Sequence, residues 1–177
     1  MAEANKKKLQ RSASWMWLAV AFVILIAVSG WLLKSESQEA KSLKADLQAI
    51  ITQQLGEKNN LDKKRIDGIS VSRVSEGWNV ELALNADKGF TMVSTKQAMW
   101  QQAIAILAPL SDISKLNDIS ISWIFPVEDS QNDVNDKSVM SFRMDKATRD
   151  QLIWGNVEPS ILPDIVFDYT EHPVLNQ

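Results

Sequence analysis

The chain of 177 residues has no cysteine, one histidine, one tyrosine and only six glycines. Without thiols there are no disulfides, iron–sulfur clusters, thiolate zinc sites or cysteine nucleophiles. With His172 as the sole imidazole, a site built on paired histidines is excluded. Six glycines are too few for nucleotide-cradling loops, and G-x-S-x-G, a Gly-rich phosphate loop and H-E-x-x-H are all missing. No catalytic, cofactor-binding or metal-binding set is read from the sequence, and the protein is expected not to be an enzyme. What is present is 45% hydrophobic and 23% charged, which suits one globular domain with one appendage.

Charge is unevenly spread. Residues 1–34 carry five basic side chains against one acid, a net of +4, while the rest carries 14 basic and 21 acidic, a net of −7. An acidic body repels phosphate backbones, so nucleic acid is not an expected partner. The basic cluster instead flanks an uncharged run of 19 residues, Trp15 to Leu33. As a helix this run is about 28 Å long, close to the thickness of a bilayer's hydrocarbon core. Trp15 and Trp17 at one end and Trp31 at the other mark two membrane interfaces. Residues 1–14 are therefore expected to be a cytoplasmic tail, 15–33 a single transmembrane helix acting as a signal anchor, and the body extracytoplasmic. The alternative is a secreted body, released by cleavage of a signal peptide near Ala27-Val28-Ser29.

Residues 34–60 read as a juxtamembrane helix and linker. Leu43, Leu47, Ile50, Ile51 and Leu55 share one helical face, and Gly56 stops it. That stripe either packs on the domain or forms a short coiled-coil seam with a partner helix. Residues 61–177 form the expected domain, with a core of its own. Ile69 and Val71, a turn at Ser75-Glu76-Gly77, and the alternation Trp78, Val80, Leu82, Leu84 predict a hairpin. A helix follows to Leu110, starting at Thr91 or Ser94. Ile119, Ile121, Trp123 and Phe125 predict a third strand ended by Pro126, and Met140, Phe142 and Met144 a fourth. Asp145 caps a short helix, and Ile161–Tyr169 is a helix or an edge strand. The order αββαββα predicts an α+β fold with a four-stranded antiparallel sheet and its helices on one face, a ferredoxin-like sandwich being one such arrangement.

Three groups are candidate sites. The acidic run Glu128–Lys137 lacks the glycine and the bidentate glutamate of a calcium loop and reads as a solvated connection. Asp164, Asp168, Tyr169, Glu171 and His172 place the one imidazole among carboxylates, the least favoured reading being a general base. Leu43, Leu47, Ile50, Trp100 and Trp154 make a candidate interaction surface, with Trp78 and Trp123 expected in the core.

In element order the chain resembles the bitopic assembly-platform components of type II secretion and type IV pilus machines. Those share a short cytoplasmic tail, one span, a juxtamembrane helix and an αββαββ domain. The resemblance covers most of the chain and implies protein–protein contacts with other membrane or extracytoplasmic proteins. The rival expectation is a binding module for a small ligand or a cell-wall component.

Overall fold

The computed structural model describes residues 37–128 and 130–177. The tail, the apolar run and Trp15, Trp17 and Trp31 lie outside the described residues. Within them, no helix is long and apolar enough to cross a membrane.

Helix α1 spans Gln38–Leu55. Leu43, Leu47 and Ile51 recur every four residues, so they stack on one side, and all three are fully buried with Ala40. Strands β1 (Ile66–Val74) and β2 (Gly77–Asn85) form a hairpin closed by Val74 opposite Gly77. Gly77 is required there. A Cβ at that position would sit 2.3 Å from the Lys115 carbonyl oxygen, because the neighbouring Trp78 N–H donates to that oxygen at 2.9 Å. Helix α2 (Met92–Leu110) starts with a reciprocal cap. The Ser94 amide donates to Thr91 Oγ1 at 3.1 Å, and the Thr91 amide to Ser94 Oγ at 2.8 Å.

Strands β3 (Leu116–Glu128) and β4 (Val134–Met144) make a second hairpin. Pro126 does not end β3, contrary to the sequence expectation. Beyond Ile124 the strand pairs only with β4, and an edge tolerates a residue that lacks an N–H. Asp145 caps the short helix α3 (Lys146–Gln151), accepting from the Thr148 amide at 2.7 Å. The ambiguous segment near residue 161 resolves into both candidates, helix α4 (Leu162–Ile165) and edge strand β5 (Phe167–Glu171).

Among the described residues the fold is α+β, with five strands in the order β1-β2-β3-β4-β5. The sheet is mixed rather than antiparallel: β2 and β3 run parallel, and every other neighbouring pair is antiparallel. The cause is α2. A helix about 28 Å long returns the chain from the end of β2 to the end where β2 began, so β3 must start in the same direction.

One face of this sheet carries the core. Trp78, Val80, Leu82 and Leu84 of β2, Ile119, Ile121 and Trp123 of β3, and Met140, Phe142 and Met144 of β4 are buried there with the stripes of α1 and α2. The compact unit runs Glu39–Gln177. Of the two readings of the α1 stripe, packing on the domain is the one the structure shows, so α1 belongs to the core of this unit. Two buried arginines brace this unit. Arg65 donates to both Asp87 oxygens, at 3.1 and 2.9 Å, and to the Asn85 carbonyl, while Arg149 reaches the Leu116 and Asn117 carbonyls.

Candidate functional site: the open face of the sheet

Side chains on a strand alternate, so the residues between the buried ones face away from the helices. There the ladder registers align small residues. Gly68 lies opposite Ala83, Ala83 opposite Ser122, Ser122 opposite Ser141, and Ser141 opposite Thr170. This row crosses all five strands, about 19 Å at the usual strand spacing. The adjacent row holds Ser70, Glu81, Ser120 and Arg143. Together they floor and wall a trench of about 530 Å³.

Arg143 organises one end. Its Nε donates to Asp168 at 3.0 Å and its Nη1 to Asp118 at 3.1 Å, and the guanidinium lies 5.1 Å from the Phe167 ring centre. The Asp168 hydrogen bond, with the charge of Asp118, raises its pKa, so the cation is held at every physiological pH. Asp168 has a left-handed φ of 55°, a conformation to which short polar side chains are best suited. The hydroxyls pair with one another, Ser122 with Ser138 at 2.7 Å and Ser141 with Thr170 at 2.8 Å. The face offers hydrogen bonds and charge, and none of its described hydroxyls is bonded to an imidazole.

The C-terminal group does not converge. Asp168 turns to Arg143 on the open face, while Tyr169 and Glu171 turn to α2. His172 closes a cap of its own, its Nδ1 accepting from the Val174 amide at 3.2 Å. Asp164 falls within α4. The expected neighbourhood of imidazole and carboxylates is split by strand alternation.

Tyr169 sits in a small network instead. Trp100 Nε1 donates to its oxygen at 3.2 Å, and its hydroxyl donates to Glu171 at 2.9 Å. Burial, aided by the Glu171 carboxylate, pushes its pKa up to about 12, against the Trp100 bond that lowers it. Burial raises the Glu171 pKa, but bonds from Asn176 and Tyr169 and the Lys96 charge outweigh it and hold the carboxyl below its ordinary value. A folded pKa above the unfolded value of about 10 contributes stability that is complete below pH 10 and lost as pH rises toward 12. Tyr169 is the only tyrosine, so tyrosinate absorbance reads it alone. The native titration should centre near pH 12, and that of the denatured chain near the ordinary tyrosine value of about 10. A native midpoint equal to the denatured one would disprove the buried network.

The proposed interaction residues scatter. Leu43 and Leu47 are core, with no exposed surface, which removes them from any docking face. Ile50, Trp100 and Trp154 are half-buried against the same core. Trp78 and Trp123 are buried, as expected. The acidic run is only in part a connection: Glu128 ends β3, and Val134 to Lys137 open β4, where Asp136 pairs with Lys63. Among the described residues no group of three or more His, Asp or Glu could hold a metal ion. The trench itself was missed by sequence reasoning. Its only signal is the small residues at alternating positions, which align once the register is known.

No protein-family model matches the chain, and no curated protein or solved structure matches it.

Proposed function

We propose that this is a single-pass membrane protein whose extracytoplasmic α+β domain docks other proteins during assembly of a membrane complex. Two sequence features support the anchored half of the reading, the +4 flank and the apolar run of 19 residues. The trench carries the docking half. One sheet face is sealed by α1 and α2, and the other is floored by side chains too small to fill it, which leaves room for a partner's side chains to interdigitate. Glu81, Asp118 and Asp168 outnumber Arg143 on this face, so the fitting segment carries Lys or Arg. The rival reading, a small-ligand module, draws on the trench volume of about 530 Å³, within the range of ligand pockets.

A photo-crosslinking amino acid at Ser122, in the full chain in its native membrane, should trap a discrete protein adduct. The same probe at Ser160, which is exposed and does not line the trench, should not. Adducts of equal yield at both positions, or none at Ser122, would remove the docking reading. Protease added to intact cells or spheroplasts should remove residues 35–177. A protected body with an accessible N-terminus would reverse the topology.

A further inference from the structure

We infer that the outer edge of β1 is a self-association surface, on which β1 of a second copy of this chain pairs antiparallel about a two-fold axis through Ser70. The edge is nine residues long, and β2 is its only neighbour in the sheet. Among the described residues no backbone hydrogen bond reaches its other side. Sheet edges are usually defended by charged side chains (lysine above all), proline, bulges along the strand, shortness or a cover. Strand β1 has neither Lys nor Pro, and its one irregularity is a bulge at its start, between Ile66 and Gly68. The opposite edge of the sheet is different. Strand β5 is five residues long and is interrupted by the left-handed Asp168.

The hairpin loop fixes which peptide groups point outward. A two-residue loop closes on a hydrogen-bonded pair, here Val74 and Gly77, so Ser72 and Ser70 also turn toward β2. The peptide groups of Ile69, Val71 and Arg73 then face the free edge. Antiparallel pairing through those groups must set odd-numbered residues opposite odd-numbered ones. With the axis at Ser70, Ile69 meets Val71 and Asp67 meets Arg73, each twice. Unlike charges face one another and apolar side chains lie beside apolar ones, both favourable across a ladder. Shifting the axis to Ile69 brings Arg73 opposite Arg65, and shifting it to Val71 sets Arg73 against Ile69. Charge therefore selects Ser70. Arg73 donates to Glu39 at 2.8 Å and lies over the Trp78 ring, 5.1 Å from its centre, and its planar fork has donors left for a second carboxylate.

A second feature adjoins the same edge. Ile66, the first residue of β1, shares a groove with Ala45, Gln48, Ala49 and Thr52 of α1, and Lys58 and Lys64 line it too. A two-fold at the edge would bring the grooves of the two copies onto the same side of the joined sheet.

The chain has no cysteine, so one introduced thiol reports alone. Ser70→Cys in the full chain, in membranes, places the two thiols across a non-hydrogen-bonded pair, with Cβ atoms about 5 Å apart. That is within reach of a disulfide. Ser72→Cys pairs with Gly68 in this register, leaving its own thiols roughly 14 Å apart along the strand. Under mild oxidation Ser70→Cys should form a covalent dimer in most of the protein, and Ser72→Cys should stay monomeric. Adding Asp67→Arg to Ser70→Cys, which sets like charges opposite, should reduce the dimer several-fold. Equal cross-linking at the two positions, a disulfide to a different protein, or a dimer yield unmoved by Asp67→Arg would each overturn the proposal.

Discussion

Trp123→Ala should cost the domain about 3–5 kcal/mol, the range for emptying a large aromatic site in a packed core. Against a total stability on the order of 5–15 kcal/mol, that loss lowers the melting temperature sharply or prevents folding. Trp123 has no exposed surface and lies at the middle of β3, paired with Leu84 on one side and Met140 on the other. Its indole N–H has no hydrogen-bond partner among the described residues. An orphaned buried donor carries a penalty of about 1–3 kcal/mol, so the indole nitrogen offsets part of what its ring contributes. Trp123→Phe keeps most of the ring and removes the orphan, and should lose much less stability than Trp123→Ala. Thermal melts of the three proteins check this order. Coincident melts for Trp123→Ala and the parent would take Trp123 out of the core.

The second large effect concerns where the domain begins. A chain starting at residue 61 lacks α1 and exposes the sheet surface that Leu43, Leu47 and Ile51 cover. At about 1.5–3 kcal/mol for each buried aliphatic side chain, the three contribute roughly 5–9 kcal/mol, comparable to the whole stability of a small domain. The chain 61–177 should show no cooperative melt and should bind apolar dyes, while 37–177 should unfold in one transition. A sharp melt of the shorter chain would show that the α1 stripe is dispensable, and would return it to partner binding.

Much of the fold was legible because side-chain period reports local structure directly. The 3.6-residue stripe of Leu43, Leu47 and Ile51 and the two-residue alternation of Trp78 to Leu84 each match one element with one buried face. Asp145 was readable as a cap because its carboxylate has a local partner, the Thr148 amide. Strand order was not legible. Whether the second hairpin pairs beside the first or interleaves with it depends on contacts distant in sequence, and both arrangements bury the same residues. The antiparallel expectation therefore gave way to a parallel β2–β3 pair. The trench was hidden for the same reason. Ser122 and Ala83 look like ordinary solvated positions until the register sets them side by side. The C-terminal cluster erred in the other direction. Neighbours in sequence, Asp168 and Tyr169, part to opposite faces once the segment is a strand.

The parallel pairing of β2 with β3 has a kinetic side. Each hairpin closes on local contacts, within microseconds for such units, whereas β2 meets β3 only after the 30 residues from Ala86 to Lys115 have folded back between them. Their junction is the late, high-contact-order step, where the two halves of the sheet come together. The row of small residues crosses that junction from Ala83 to Ser122. An occupant lying in the row would touch both halves at once, and would bind only after they had joined. By mass action it would hold the junction closed, so the domain's resistance to partial opening would rise with the occupant's concentration. A docked occupant would then act as a clamp on the sheet that receives it.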